Sequence, residues 1–361
     1  MYTLSPKALG VANATSPSSA NNSTKALPER KPLASARVAL YAAFRNHVEG
    51  VQMEALCELA GKVHAYVPAD STFQRKARIL QSLWRIQLGL EPGEHRGQPL
   101  GSSVRMPLAE RELVNFLDAD TRRVVREVLD NHDGEDKRVI ERNRLFGNLL
   151  SSQPMAFNLF AHLRLDMDLA TKCLRELSGN RIHTVTKIDF EYSPGRGDER
   201  YTGDHSAFDV YVLFDTTDRQ RGFAGIEVKY HENMQNEASH HHARYDDVAR
   251  AMGCFREDAR ELLARKPLQQ IWRDHLLVGS HRTEDGFADG FFIFLSPKDN
   301  GACNDAVAAY HSCLNFTTTF EHWTLEALVA AIKRATPDKW IRDFEDRYLN
   351  FTKLTRMLAA Q

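Results

Sequence analysis

The sequence predicts a mixed α/β (α+β) fold in which an all-α N-terminal region precedes a core of the order αβββαβ, with a mixed sheet flanked by helices. Apolar residues recur at helical spacing as far as Leu177, and from Ile188 they alternate with polar residues as in a strand. The chain has 361 residues, of which 42% are apolar. That is enough for one large domain, or for a core domain with a smaller companion.

Three regions are expected along the chain. Residues 1–32 are rich in Ser, Asn, Ala, Pro and Thr and have no apolar period, which predicts a disordered tail. Residues 33–135 carry apolar stripes at helical spacing and are expected to form a helical accessory region, interrupted by a Gly- and Pro-rich loop at residues 91–101. Residues 136–361 are expected to form the domain that carries the chemistry, together with C-terminal helices.

Composition excludes several classes of protein. The 47 Lys and Arg residues nearly balance the 48 Asp and Glu residues, so any site for a polyanion must be a local patch. No apolar run approaches the roughly 18 to 20 residues that a membrane helix needs, and no membrane partner is expected. The 5 cysteines are scattered and lack CxxC spacing, which favours free thiols and a cytoplasmic location.

A predicted β-hairpin carries the most informative residues. Its strands cover residues 208–214 and 223–229, and a polar link joins them. If the turn is centred on Asp218, Asp209 lies opposite Glu227 on the neighbouring strand. Lys229 shares their face because side chains alternate along a strand, whereas the opposite face of both strands is apolar.

Two carboxylates that face each other across strands repel, so a sheet built only for stability rarely contains them. A hard divalent cation such as Mg²⁺ relieves this repulsion. Lys229 can then orient or deprotonate a metal-bound water, or neutralise charge on a phosphorane-like transition state. These groups together are best matched to a phosphodiester substrate. The alternative is that Glu227 and Lys229 are ordinary exposed strand residues, since Glu-x-Lys alone is a common pattern.

The spacing of these residues resembles a known motif. Asp209, followed by 17 residues and then Glu227-Val228-Lys229, is similar to the motif of the PD-(D/E)XK nuclease superfamily, which has the restriction-endonuclease-like fold. Phe208 stands at the position where that motif has proline. The strings at residues 148–154, 192–196 and 225–230 resemble one bacterial branch of the superfamily, and the whole resemblance covers residues 139–300.

The resemblance implies a function for the hairpin. Asp209 and Glu227 are expected to bind Mg²⁺ together with the backbone carbonyl of Val228, and Mn²⁺ is expected to substitute. Lys229 is expected to assist the attacking water. The implied partner is nucleic acid, with DNA as the expected substrate.

Further acids are candidates for supporting roles. The superfamily often carries an acid on its first helix, for which Glu141 and Glu176 both qualify; we favour Glu141 because the string at residues 148–154 follows it. Asp204 can reach the metal or fix the side chain of Arg196, although a turn acid is the simpler interpretation. Glu232 shares the face of Lys229 by parity, and it either orients that lysine or is solvated.

Arg244 and Tyr245 follow the third strand of the predicted core. Superfamily members often place side chains there that contact the DNA backbone or the active site, although Arg244 can instead pair with Asp246 or Asp247 on its own helix.

Three functions remain open at this point. The first is hydrolysis of DNA by a metal-dependent nuclease. The second is a catalytically silent nucleic-acid-binding or scaffold protein that keeps the nuclease fold, and the third is a metal-dependent hydrolase with a different substrate. Homodimers are common among nucleases that cut both strands, and a homodimer is therefore an open alternative for this chain.

Overall fold

The computed structural model describes residues 53–130 and 140–359. These residues belong to one compact unit. The predicted tail at residues 1–32 and the predicted boundary between residues 135 and 136 both lie outside the described residues.

The part of the chain before residue 131 is helical apart from one small hairpin. Its elements are α1 (residues 53–62), α2 (Thr72–Gln87), β1 (Gly93–His95), β2 (Gln98–Leu100), α3 (Met106–Glu112) and α4 (Ala119–Asp130). The hairpin β1–β2 replaces most of the loop predicted at residues 91–101. Arg96 and Gly97, which join the two strands, have φ angles of 52° and 75°. Positive φ at both central residues is what the tight turn of a two-residue hairpin requires.

The core follows with the predicted order of helices and strands. A π-helical turn (Asn143–Gly147) leads into α5 (Ser152–Leu165), α6 (Met167–Leu177), β3 (Thr184–Tyr192), β4 (Phe208–Asp215), β5 (Arg221–Val228), α7 (Ala243–Met252), a 3₁₀ turn (Glu257–Ala259), α8 (Arg260–Leu263), α9 (Gln269–Glu284) and β6 (Asp289–Ser296). The chain then forms α10 (Gly301–Ser312), β7 (Phe320–Thr324), α11 (Leu325–Ala335), α12 (Lys339–Tyr348) and α13 (Thr352–Ala359). The αβββαβ prediction is therefore confirmed.

One five-stranded mixed sheet organises this core. The strand order is β3-β4-β5-β6-β7, in which β3, β4 and β5 form an antiparallel meander and β6 and β7 run parallel to β5. β4 pairs with β5 from Val210 opposite Ile226 to Asp215 opposite Arg221. This is the register predicted for a turn centred on Asp218. It brings the start of β4 and the end of β5 to the same end of the sheet.

Helices cover both faces of the sheet. Val210, Val212 and Ile226 belong to a core shared with α5, α6, α11 and α12. On the opposite face, Tyr211 and Phe223 pack into a second core with α7, α9 and α10. Because each face is buried, the central strands β4, β5 and β6 are apolar along most of their length, and their polar side chains lie near the strand ends.

The helices before residue 131 extend the first of these cores. Phe73 of α2 and Val124 of α4 belong to the same apolar cluster as Ile226 of the sheet.

The cysteines are free thiols, as predicted: Cys57, Cys173, Cys254, Cys303 and Cys313. Within residues 53–130 and 140–359, no helix is both long enough and apolar enough to span a bilayer.

Candidate active site

The candidate site lies where β4 and β5 separate. Regular pairing ends with Val210 opposite Ile226, and beyond this pair Oδ2 of Asp209 accepts a hydrogen bond of 2.7 Å from the backbone N–H of Val228. A carboxylate thus takes the place of a backbone acceptor between the diverging strands. As a result, the position of Asp209 is fixed by the backbone of the strand that carries Glu227.

Gly225 is required by a close approach beside this point. A Cβ added to Gly225 would lie 2.4 Å from the ring of Phe208, the residue immediately before Asp209. The ring of Phe208 can lie across β5 only because residue 225 has no side chain. The glycine of the string at residues 225–230 is therefore explained by packing.

Glu227 and Lys229 lie together at the end of β5. Their side chains are only 8% and 6% exposed, and Nζ of Lys229 lies 2.5 Å from Oε1 of Glu227. The same oxygen accepts a hydrogen bond of 2.7 Å from Nε2 of Gln270 on α9. These contacts bring Glu227 and Lys229 together, as their shared parity on β5 predicts.

The surroundings of Asp209 are strongly anionic. Burial raises the pKa of Asp209 well above its usual value, and the neighbouring carboxylates of Glu227 and Glu191 raise it further. Lys229 and the N–H of Val228 lower the pKa, but they offset only part of the rise. Burial and the neighbouring carboxylates together therefore favour a proton or a cation at Asp209.

Lys229 is a stable cation in this environment. Burial alone lowers its pKa, but the carboxylates of Glu227, Glu232 and Asp209 outweigh that effect, so the pKa lies above its usual range. Glu232 accepts a hydrogen bond of 2.6 Å from the backbone N–H of Tyr230. Although burial raises the pKa of Glu232, the charges of His231 and Lys229 together with that N–H lower it overall. Glu232 therefore contributes to keeping the lysine protonated.

Glu191 is an acid that the sequence did not single out. It lies in β3, is 8% exposed, and has a positive φ of 50°. Nε2 of Gln153, near the start of α5, donates a 2.7 Å hydrogen bond to its Oε1. Its charge acts on Asp209, as noted above. The sequence held only an indirect signal for this pair. Gln153 lies within the string at residues 148–154, and Glu191 immediately precedes the string at residues 192–196.

A family model of the PD-(D/E)XK nuclease superfamily matches residues 68–350. The chain belongs to the PD-(D/E)XK nuclease superfamily. Searches of curated proteins and of solved structures give no significant match. Membership confirms the restriction-endonuclease-like fold and supports a nuclease-like function. The match begins before α2, so the superfamily model also includes most of the described helices that precede the sheet.

The acids expected on the first helix of the superfamily lie elsewhere. Glu141 is exposed, and its Oε2 lies 4.0 Å from Nε of Arg144. Glu176 forms an ion pair with Arg334 of α11. The structure therefore joins neither of them to the strand acids. Besides Glu227, the acid whose charge acts on Asp209 is Glu191, which comes from β3.

Asp204 is a buried structural centre beside the superfamily's motif residues. Its carboxylate accepts hydrogen bonds from the side chains of Thr202 and Ser206, from the hydroxyl of Tyr245 over 2.6 Å, and from Nε of Arg273 over 2.9 Å. With its oxygens occupied by these donors, Asp204 organises the loop before β4. The arginine that pairs with it is Arg273 and not Arg196, which donates to the carbonyl of His205. Tyr245 is likewise directed to Asp204 and not to the strand acids.

Arg244 also supports this loop. Its guanidinium donates to the backbone carbonyls of Tyr201 and Arg200 over 3.0 Å and 2.7 Å. These bonds hold α7 against the segment between β3 and β4. The structure forms neither of the helix ion pairs considered for Arg244, with Asp246 or with Asp247.

Asp204→Asn is expected to lower the free energy of unfolding by about 2 kcal/mol at neutral pH, because it weakens charge-assisted hydrogen bonds in a buried site. Burial alone raises the pKa of Asp204, but its donors and Arg273 lower it far below the usual value. A depressed folded-state pKa stabilises the fold above the unfolded-state value of about 3.9, and the contribution is lost as the pH falls below it. Urea unfolding at several pH values should therefore show the difference between wild type and variant narrowing below about pH 4. A difference that is constant with pH would contradict this account.

Proposed function

We propose that the protein is a divalent-metal-dependent nuclease that hydrolyses phosphodiester bonds of DNA, with Mg²⁺ as its ion and Mn²⁺ as a substitute. The observation that carries the proposal is the gathering of Asp209, Glu227 and Lys229 at the point where β4 and β5 separate. Membership of the nuclease superfamily supports hydrolysis of phosphodiesters as the reaction class. The burial of Asp209 beside the carboxylates of Glu227 and Glu191 supplies the physical reason for a cation.

The donor chemistry fits Mg²⁺ better than a metal held in a complete protein cage. Among the side chains of residues 53–130 and 140–359, no group of three or more His, Cys, Asp or Glu is arranged to hold a metal. Mg²⁺ is commonly bound by one or two carboxylates, with water and substrate phosphate completing its shell. Asp209, Glu227 and the backbone carbonyl of Val228 would hold the ion here.

The bound ion would lower the pKa of a coordinated water and offset charge on the phosphate. The chain's own part is to hold the ligands in place. The N–H of Val228 fixes one oxygen of Asp209, and Gln270 fixes one oxygen of Glu227. Such preorganisation lowers the cost of assembling the reacting groups.

Lys229 would supply positive charge to the reaction. The neighbouring carboxylates keep its pKa above the usual range, so it carries a proton at neutral pH. Of the roles that the sequence left open, we propose orientation of the water and neutralisation of charge on the phosphate, because Nζ of Lys229 already lies against Oε1 of Glu227, a proposed ligand of the ion.

A polar cavity beside these residues offers a place for the substrate. It has a volume of about 330 Å³ and is lined by Glu227 and Lys229 and by residues of α9, among them Arg273. One water takes up about 30 Å³ of liquid volume, so the cavity can hold a phosphate group with several waters. We propose that the scissile phosphate enters here.

A nicking assay tests the proposal. Supercoiled plasmid is incubated with wild type or Lys229→Ala, in Mg²⁺ or in EDTA, and DNA binding is measured in parallel. If the protein is a nuclease, wild type nicks the plasmid in Mg²⁺ but not in EDTA, and Lys229→Ala does not nick it. If it is a catalytically silent binder, wild type and Lys229→Ala both retard DNA in a gel and neither nicks it. If it is a hydrolase of another substrate, neither protein nicks or retards DNA. Either of the last two results would overturn the proposal.

A cytoplasmic location and a homodimer stay predictions from the sequence.

A further inference from the structure

A polar groove lies next to the strand that carries the motif. It has a volume of about 610 Å³ and is lined by residues of the hairpin β1–β2, of the start of α3 and of the π-helical turn. Among the described residues, it shares none with the lining of the cavity of about 330 Å³.

The groove comes close to the candidate active site at His231. This residue belongs to its lining and follows Lys229 by two positions in the chain. Two residues span at most about 7 Å, and each nucleotide of a DNA strand rises about 3.4 Å. The groove therefore begins within about two nucleotides of Lys229.

Backbone hydrogen bonds join the two segments that form the groove. The N–H of Val104 donates to the carbonyl of Gly147 over 2.9 Å, and the N–H of Leu149 donates to that of Ser102 over 3.0 Å. A Cβ added to Gly147 would lie 3.2 Å from the carbonyl oxygen of Val104, so the glycine permits this close approach. The groove is therefore preformed by the backbone, and one of its segments is a π-helical turn, an arrangement often found at functional sites.

Cationic side chains outnumber acids along the groove. Among the described residues of its lining, Glu94 is the acid, and the basic residues are three arginines and two histidines: Arg78, Arg105, Arg144, His95 and His231. Arg78 is neutralised by Asp70, whose Oδ2 lies 2.6 Å from its Nε. The positive charge that is available to a ligand therefore comes from the other basic residues.

Arg105 and Arg144 are held only weakly by acids. Their side chains are 65% and 53% exposed, and their nearest acid contacts are 3.2 Å to Glu94 and 4.0 Å to Glu141. Exposed ion pairs of this kind contribute little to stability. Both guanidinium groups can therefore turn to a phosphate, with which arginine forms strong charge-assisted hydrogen bonds.

His231 carries a polar atom that lacks a partner among the residues that the structure describes. Its Nδ1 is buried without a hydrogen bond, although the imidazole also bonds to the backbone of Leu150. Buried polar atoms of side chains are mostly hydrogen-bonded, so this nitrogen indicates a ligand in the groove. An imidazole nitrogen accepts a hydrogen bond from a sugar or a base, and it donates one to phosphate when protonated.

We propose that this groove binds the sugar-phosphate backbone of nucleic acid beside the scissile phosphate, with Arg105 and Arg144 as its phosphate contacts. The inference rests on the proposed function, because the ligand is the same DNA. The charges of the whole chain nearly balance, so a polyanion requires a local basic surface of this kind. The helical region before residue 131 would thus hold the substrate in position without reading its sequence.

Fluorescence anisotropy of a labelled DNA duplex in EDTA tests this inference, because it measures binding without cleavage. We expect Arg105→Ala and Arg144→Ala each to weaken binding by about tenfold. Arg111→Ala is the matched control, because Arg111 lies on α3 outside the groove, with a side chain that is 70% exposed and paired with Glu112. This control should bind DNA as wild type does.

Two further measurements separate a lost phosphate contact from a damaged fold. The slope of log Kd against log salt concentration should fall by about 1 for each groove arginine that is removed, and it should not change in Arg111→Ala. Glu94→Gln removes the acid of the groove and should tighten binding by about two- to fivefold. All four variants alter exposed side chains and should melt within about 2 °C of wild type.

The outcomes distinguish failure of this inference from failure of the proposed function. Wild-type affinity in Arg105→Ala and Arg144→Ala would overturn the groove as a binding surface, even if wild type nicks plasmid. Wild type that neither binds nor nicks DNA would overturn the proposed function and this inference with it. Weaker binding by both groove variants, with normal binding by Arg111→Ala, would support the groove whatever the rate of nicking.

Discussion

Glu227→Gln is expected to slow DNA cleavage by at least about three orders of magnitude, which corresponds to about 4 kcal/mol of transition-state stabilisation. The glutamine keeps the shape of the side chain and an oxygen for Gln270 and Lys229. It removes the negative charge that would hold the ion and balance the lysine. Single-turnover nicking of plasmid in Mg²⁺ measures the effect.

Glu261→Gln is the matched control for this prediction. Glu261 lies on α8 with its side chain 88% exposed, and its ion pair with Arg265 is on the surface. We expect Glu261→Gln to cleave at the wild-type rate. Cleavage by Glu227→Gln at a rate similar to that of this control would rule out a catalytic ion at Glu227.

Arg347→Ala is expected to lower the free energy of unfolding by about 3 to 5 kcal/mol. Arg347 on α12 is 1% exposed, and its guanidinium donates to Gln81 of α2 and to both the carbonyl and the side chain of Asn115. Cζ of the guanidinium also lies 3.6 Å from the ring centre of Trp84. Truncation leaves the side-chain oxygens of Gln81 and Asn115 buried without donors, whereas the carbonyl of Asn115 keeps a hydrogen bond from Asn158. It also removes the packing of the guanidinium on the indole.

Urea unfolding followed by tryptophan fluorescence and by circular dichroism measures this loss. Arg342→Ala, on the exposed side of the same helix, is the control and should change stability by less than about 0.5 kcal/mol. Because Arg347 joins α12 to the helices before residue 131, both probes should report one shared transition. A loss below about 1 kcal/mol for Arg347→Ala would show that this network contributes little to the fold.

The sequence predicted the features that depend on short-range patterns. The link between β4 and β5 is short, so the alternation of apolar residues on both strands was enough to define the pairing of Val210 with Ile226. The same alternation placed Asp209, Glu227 and Lys229 at one end of the sheet. The order of helices and strands followed from the change of period near Ile188.

Features that depend on long-range packing could not be predicted in this way. Glu191 acts on Asp209, but a long segment separates their strands, and no local pattern defines how those strands pair. Gln270 lies on α9, and it reaches Glu227 only because the apolar residues of that helix pack on the sheet in one orientation. Asp204 looks like a turn acid in the sequence, and only the folded chain brings Arg273 and Tyr245 to it.

An anomalous-difference map from a crystal soaked in Mn²⁺ tests the central claim most directly. The account predicts a strong peak within coordination distance of the carboxylates of both Asp209 and Glu227, about 2.0 to 2.6 Å from their oxygens. Density that is absent from this position, while Mn²⁺ is bound elsewhere on the chain, would contradict the assignment of the two strand acids as the metal ligands of a nuclease.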